Sequence, residues 1–283
     1  MGIPSKVEPS IKTLDFTEDK VKNLISIAKE QNRNYLSNKP FPYIVIDGLF
    51  PDDLLHDVST EFESKNHNVE KNFYGAVKKF ATANPWDLEA TTRRLLLDLN
   101  SKNICLFLEE LTSIQGIVPD PYYEGGGIHE TLNEGFLKVH TDFNWHKKLK
   151  LDRRINMIIY LNKDWDEKWG GGLELWDENM KNKCIEVSPA FNRTVIFSTT
   201  DNSYHGHPEP INCPENESRK SLALYYYSNG RPQKEVKFSH STDTNYQERP
   251  DEFFSNVWST KRVLGKITPP IVLDVLRKFK KQT

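Results

Sequence analysis

The stretch FLKVHTDFNWH, Phe136–His146, places an imidazole and a carboxylate two residues apart in a run that reads as a strand. Side chains at positions i and i+2 of a β-strand point to the same face, so His140 and Asp142 share one face. One interpretation is that both are ordinary polar residues where a strand turns into a loop. The other is a metal site that takes two ligands from this stretch and a third from a distant segment.

The sequence around this stretch predicts a mainly β core with flanking helices. From Tyr122 onward, runs rich in Ile, Val, Leu, Phe and Tyr alternate with Gly, Asn, Asp and Pro, which indicates a sandwich or barrel. We expect strands near residues 134–140, 154–162, 172–177, 184–188, 193–198, 203–207 and 219–228.

Helical periodicity dominates on both sides of the predicted core. We expect a helix capped by Thr17, a short strand that ends at Asp47-Gly48, a helix after Pro51, and a helical stretch over 87–115 that is broken near Asn100. Two further helices are predicted over 251–264 and 269–281. The predicted organisation is one integrated domain, made of a flank over 1–121, a β core over 122–230 and a helical extension over 231–283.

Composition excludes several classes of function. The 38 basic and 40 acidic residues nearly balance, which gives no reason to expect nucleic acid as a partner. The chain has three cysteines without motif spacing, which argues against a disulfide framework or a zinc cluster. No secretory signal is visible at the N-terminus, and no apolar run approaches the roughly 18 residues that a membrane span needs. We therefore expect a cytoplasmic protein that does not bind membranes.

The third ligand is expected in SYHGHPEP, Ser203–Pro210, which contains two histidines. His205 and His207 share a face if the strand is regular. Pro208 restricts its predecessor to extended geometry and removes a ladder donor, so strand pairing should end there. We therefore take His205 as the inner residue and place His207 at the rim, near solvent or substrate, while His207 stays the alternative ligand.

The segment SRKSLALYYYS, Ser218–Ser228, supplies a buried cation. Arg219 and Ser221 lie on one face of this predicted strand, together with small and aromatic residues. An arginine in such surroundings is costly unless it meets an anion, and its planar fork suits a carboxylate. Lys220 lies on the opposite face, so Arg219 is the expected anchor.

These motifs, in this order, resemble the 2-oxoglutarate-dependent Fe(II) oxygenases, and within them the prolyl-hydroxylase-like branch. The resemblance covers about Pro42 to Ser228 and is densest in GFLKVHTDFN, RRINMIIYLNKDW, GGGLELW, SYHGHP and SRKSLALYYY. It implies a double-stranded β-helix core of the jelly-roll or cupin-like type. It also implies that iron is held by a catalytic triad of His140, Asp142 and His205.

The resemblance further implies a site for the co-substrate. Arg219, assisted by Ser221, would bind the distal carboxylate of 2-oxoglutarate, and Tyr160 matches a position whose hydroxyl often meets the same carboxylate. Asn156 points the same way as Tyr160, four residues along the strand, and is expected near 2-oxoglutarate or the substrate.

The implied reaction consumes O2 and 2-oxoglutarate, releases succinate and CO2, and oxidises an unactivated C–H bond, with ascorbate as a supporting reductant. Because related halogenases carry a small residue at the carboxylate position, Asp142 favours hydroxylation. A prolyl residue of a protein or a free amino acid is the favoured substrate, with a small metabolite or natural product as the alternative. A non-catalytic cupin-like binding module is the alternative class, and iron content with turnover of 2-oxoglutarate to succinate separates the two classes.

Overall fold

The computed structural model describes residues 11–63, 75–82, 84–232, 235 and 240–249. The chain divides into two units, Met1–Gln247 and Glu248–Thr283. Of the second unit only Glu248 and Arg249 are described, so the helices predicted over 251–264 and 269–281 lie outside the described residues. The boundaries predicted at residues 121 and 230 stay predictions.

The α-helices of the described part all precede the main run of strands. They are α1 (Glu18–Ser37), α2 (Asp52–Glu63), α3 (Ala90–Leu99) and α4 (Lys102–Thr112). As predicted, Thr17 caps α1 by accepting a hydrogen bond from the main-chain N–H of Lys20. The predicted break near Asn100 is also confirmed, because Asn100 leaves the helical path and donates its side-chain amide to the carbonyl oxygen of Asp120 at 2.7 Å.

The strands follow the predicted pattern, with additions. In chain order they are β1 (Tyr43–Asp47), β2 (Ala76–Thr82), β3 (Val118–Pro119), β4 (Gly127–Thr141), β5 (Trp145–His146), β6 (Leu151–Tyr160), β7 (Leu173–Trp176), β8 (Lys183–Val187), β9 (Arg193–Ser198), β10 (His205–His207), β11 (Ser218–Ser228) and β12 (Asn245–Tyr246). All seven predicted core strands are present, and β4 begins earlier than expected. Strands β2, β3, β5 and β12 were not predicted.

The described strands form one antiparallel sheet that curls towards a barrel. Its main order is β1-β9-β6-β11-β4-β10-β7-β8, with β2 and β12 on β4, β3 on β11 and β5 on β6. This arrangement is the antiparallel, barrel-like sheet that the predicted jelly-roll class requires. Strand β4 is central, because its first half pairs with β11 and its second half with β10.

Side chains alternate between two faces along β6 and β11. One face packs against the helices, and the other lines the inside of the barrel. The outer side chains of these two strands join the helical residues in one large apolar cluster; they are Ile155, Met157, Ile159, Leu222, Leu224 and Tyr226. The side chains at intervening positions face the other way. Among them, Tyr160 belongs to a second, inner cluster with Phe197 and Leu175. The helices thus stabilise the outer face, and the inner face is left for the site.

Two adjacent leucines on α3 test this arrangement. Leu96 is 1% exposed within the large cluster, and Leu97 is 55% exposed. We expect Leu96→Ala to lower the free energy of unfolding by about 2–5 kcal/mol, because it leaves a cavity in the core. The matched control Leu97→Ala should stay within about 0.5 kcal/mol of the parent. Urea unfolding followed by circular dichroism measures both, and equal losses would contradict the packing of α3 described here.

Candidate metal and co-substrate site

The three predicted ligands meet where β4 and β10 lie side by side. His205 pairs directly with His140 across the antiparallel ladder, and their ring centroids are 4.4 Å apart. Asp142 follows the last residue of β4. One ligand atom from each of His140, Asp142 and His205 lies within 4.8 Å of the other two. A cross-strand pair and an i, i+2 pair thus bring three metal-ligating groups together.

Both imidazoles are oriented by a backbone carbonyl two residues earlier. His140 Nδ1 lies 2.8 Å from the oxygen of Lys138, and His205 Nδ1 lies 2.9 Å from the oxygen of Ser203. A carbonyl only accepts, so each Nδ1 donates its hydrogen. The Nε2 atoms of His140 and His205 then face Asp142, at 3.6 and 3.4 Å from its oxygens. Burial lowers the pKa of His205 to about 4, so its Nε2 lone pair is available at neutral pH.

The Asp142 carboxylate is fixed by two residues of β6. Arg153 Nη2 lies 3.0 Å from Asp142 Oδ2, and the Asn156 amide donates to the same oxygen at 2.7 Å. Burial opposes the charge of Asp142, yet Arg153 and the neighbouring imidazoles hold the pKa of this carboxyl well below its usual range. Asp142 is therefore an anion with a defined orientation, as a metal ligand must be.

Asn156 is oriented in its turn by Arg153. The Nε and Nη2 atoms of Arg153 donate to Asn156 Oδ1 at 3.0 and 2.8 Å, and the Thr199 hydroxyl donates to the same oxygen at 3.2 Å. These bonds leave the Asn156 amide nitrogen pointing at Asp142. Asn156 lies on the predicted face, but the contact that the structure gives it is with the candidate ligand, which makes it a positioning residue for that carboxylate.

The predicted anchor Arg219 is buried at the other end of the inner face. Its Nε donates to the carbonyl oxygen of Gly171 at 2.6 Å, and its Nη2 donates to the Tyr160 hydroxyl at 3.0 Å. Ser221 is buried opposite Tyr160 in the ladder. Gly171 has φ +73°, and a Cβ there would lie 3.2 Å from Arg219 Cδ, so a larger residue would disturb the arginine.

Arg219 keeps donor capacity for an anion. Burial lowers the pKa of this guanidinium, and the group stays charged because its ordinary pKa is so high. Within the part of the chain that the structure describes, no carboxylate forms an ion pair with Arg219. A buried arginine that is bonded only to a carbonyl and a phenol is suited to an anionic ligand.

The predicted position of His207 is wrong. It was expected at the rim, but its side chain is only 3% exposed. Pairing does end at His207, as Pro208 suggested. The ladder, however, changes register between His205, which faces His140, and His207, which faces Leu137. His207 nevertheless lies inside the sheet, on the face that it shares with His205, and not at the rim that Pro208 suggested.

Two residues near the candidate ligands were missed by the sequence analysis. Arg153 is buried and lies with its guanidinium carbon 3.4 Å from the ring centroid of Tyr225. The run of charged residues at 152–154, at the start of a strand that continues with mostly apolar residues, was a signal that could have found it. Tyr246 lies on β12, which pairs with the end of β4, and its ring centroid is 5.3 Å from that of His140. No pattern in the sequence around Tyr246 indicates that contact.

The donor set fits a ferrous ion. Two imidazole nitrogens and one carboxylate oxygen are the ligands of the facial triad of non-haem iron enzymes. Each donor has a second contact that fixes its orientation, namely a carbonyl for each imidazole and Arg153 with Asn156 for the carboxylate. The arrangement can hold one divalent metal ion beside an anion-binding arginine.

Comparison with known proteins agrees with this chemistry. Residues 126–227 match the 2OG-Fe(II) oxygenase superfamily. A mouse protein, the prolyl 3-hydroxylase OGFOD1 of Mus musculus, is 37% identical over 79 residues, which is 26% of this chain and 14% of that protein. This chain therefore spans about a seventh of the length of the curated relative that it matches.

Solved structures share the fold. A prolyl hydroxylase from Trichoplax adhaerens, in complex with a hypoxia inducible factor peptide fragment, aligns with a TM-score of 0.53 at 14% identity and covers 76% of this chain and 94% of that chain. HygX from Streptomyces hygroscopicus, with nickel and 2-oxoglutarate bound, aligns with a TM-score of 0.50 at 12% identity and covers 77% of this chain and 97% of that chain.

The resemblance inferred from the motifs is confirmed. The match to the 2OG-Fe(II) oxygenase superfamily covers residues 126–227, and together with the set of His140, Asp142 and His205 it supports Fe(II) as the metal and 2-oxoglutarate as the co-substrate. Among the described residues, no helix combines the length and the apolar character needed to cross a bilayer.

A pair of histidine variants tests the candidate ligand set. We expect His205→Ala to lose bound Fe(II), because it removes one of three donors. The matched variant His207→Ala, two residues along the same strand, should retain it. Metal content after anaerobic loading and desalting measures both, with circular dichroism as the control for folding. If His207→Ala lost the metal and His205→Ala retained it, His207 and not His205 would be the third ligand.

Proposed function

We propose that this protein is an Fe(II)- and 2-oxoglutarate-dependent dioxygenase that hydroxylates an unactivated C–H bond, with a prolyl residue of a protein as the favoured substrate. The observation that carries this proposal is the convergence of His140, Asp142 and His205 within 4.8 Å, on a domain of the matching superfamily. A binding module of the cupin type has no need of this set together with a buried, carboxylate-free arginine.

Each residue of the site has a separate task in this proposal. His140, Asp142 and His205 hold the metal, and Arg153 with Asn156 keeps the carboxylate charged and oriented. When bound, Fe(II) and 2-oxoglutarate supply the oxidation of the C–H bond by O2, with succinate and CO2 as co-products. Asp142 as the third ligand favours hydroxylation over halogenation.

The co-substrate is oriented by its far end. Arg219 presents its free donors to the distal carboxylate of 2-oxoglutarate, in a charge-assisted contact shielded from water. The Tyr160 hydroxyl, which already accepts from Arg219 at 3.0 Å, directs its own hydrogen to the same carboxylate. Ser221 lies beside them on the same face and assists. These groups fix which end of 2-oxoglutarate reaches the metal.

The choice of a prolyl substrate rests on the relatives. The mouse relative OGFOD1 is named as a prolyl 3-hydroxylase, and the Trichoplax structure is that of a prolyl hydroxylase in complex with a peptide fragment. A free amino acid is the second candidate substrate. A small metabolite is the third, and the substrate test below includes it. We place the reaction in the cytoplasm, since Cys105, Cys184 and Cys213 are all free thiols.

An arginine variant separates the binding of 2-oxoglutarate from the binding of metal. Arg219→Leu should weaken 2-oxoglutarate binding by about 2–5 kcal/mol, because a buried charged partner of the distal carboxylate is lost. Fe(II) content should not change. Anaerobic calorimetric titration with 2-oxoglutarate and metal analysis measure the two effects. The smaller change Tyr160→Phe should cost less, and an unchanged affinity in Arg219→Leu would move the anchor to another residue.

A turnover assay tests the activity itself. Succinate release with Fe(II), ascorbate and 2-oxoglutarate should rise when proline-containing peptides are added, and Asp142→Ala should abolish the release. Free proline and a small-metabolite panel are run in parallel and decide the substrate class. Absence of succinate from metal-loaded wild-type protein under all these conditions would leave the cupin-like binding module as the better account.

A further inference from the structure

His207 is a buried polar side chain that the proposed function has not used. It is 3% exposed, and among the residues that the structure describes neither Nδ1 nor Nε2 has a hydrogen-bond partner. Leaving a buried polar group unsatisfied destabilises the folded state, and native interiors satisfy nearly all such groups. An apolar side chain of similar size would fill the same space without that cost, so packing alone does not account for a histidine here.

The sheet places His207 between the metal ligands and the anchor. His205 and His207 lie two apart on β10, so their side chains share the inner face. On the other side of β10, Gly206 pairs with Glu174 of β7, which brings residue 207 to the beginning of that strand. Gly171 lies just before β7 and accepts the hydrogen bond of Arg219 Nε at 2.6 Å. His207 is therefore next to the triad along its own strand and next to the anchor across the sheet.

Basic groups lie near His207, among them Arg219, Lys79, His140 and His129. An imidazole carries at least one N–H donor in either protonation state. Within the described ranges no carboxylate forms an ion pair with Arg219. The Arg219 guanidinium and the His207 ring therefore both offer N–H donors to an anionic ligand on this part of the inner face.

We infer that His207 is a further 2-oxoglutarate-binding residue, whose ring N–H donates to the distal carboxylate that Arg219 and Tyr160 also bind. This inference rests on the proposed function and adds one residue to it. A carboxylate has about four lone-pair sites, so it can accept from a guanidinium, a phenol and an imidazole together. Its binding would satisfy the buried N–H and compensate the charge of Arg219 in one step.

The inference predicts opposite effects on the free protein and on its complex. His207→Leu removes an unsatisfied buried polar group, so the melting temperature without 2-oxoglutarate should stay equal or rise. The same variant should bind 2-oxoglutarate about 10- to 100-fold more weakly, the factor expected for one hydrogen bond to a charged group. A residue with a purely structural role would lower the melting temperature and leave the affinity unchanged.

The experiment compares two 2-oxoacids on anaerobic, Fe(II)-loaded protein. Calorimetric titration of wild type, His207→Leu and His207→Asn uses 2-oxoglutarate and 2-oxopentanoate, which has the same chain length but no distal carboxylate. His207→Leu should lose affinity for 2-oxoglutarate alone, and His207→Asn, which keeps an N–H donor, should recover part of it. If the leucine variant does not fold, His207→Val takes its place.

The outcomes separate this inference from the proposed function. The inference would be overturned if His207→Leu bound both 2-oxoacids as tightly as the wild type does. It would also be overturned if the variant lost affinity equally for both, because the imidazole would then lie at the metal-chelating end of the ligand. Failure of metal-loaded wild type to bind 2-oxoglutarate would instead overturn the proposed function itself.

Discussion

The site depends on keeping one carboxylate charged inside the protein. Moving the charge of Asp142 out of water costs several kcal/mol unless a partner compensates it. Arg153 is that partner at 3.0 Å, and it is itself buried and stacked on Tyr225. Removing one member of such a pair costs about 3–5 kcal/mol, because the other charge is left uncompensated. The ion pair explains why an arginine stands in the apolar strand β6, and it holds the carboxylate between the two imidazoles.

The same two strands serve stability and chemistry on opposite faces. The outer side chains of β6 and β11 pack with the helices, and the inner side chains include Asn156, Tyr160, Arg219 and Ser221. Because alternate residues face opposite ways, polar residues can be added on the inner face without loss of outer packing. The two ends of the inner face then carry opposite charges. The carboxylate end suits a cation, and the basic end around Arg219 suits an anion.

The sequence by itself determined what depends on neighbours along the chain. The two-residue spacing of His140 and Asp142, and that of Arg219 and Ser221, assigned each pair to one strand face, since alternation is a property of the extended backbone. The cap at Thr17 and the helix break at Asn100 could also be predicted, because both depend on residues close in the chain. Most of the core strands, and the candidate ligands with their anchor, could thus be predicted from local patterns and from the order of the motifs.

Only the tertiary structure decided which residues meet across strands. It brought Arg153 to Asp142 and Tyr246 to His140, and it buried His207 although a proline follows it. Strand order and register are set by the packing of the whole sheet, and a shift of one residue exchanges the faces of a strand. No local pattern carries that information, because each of these contacts joins segments whose pairing becomes defined only when the sheet has closed.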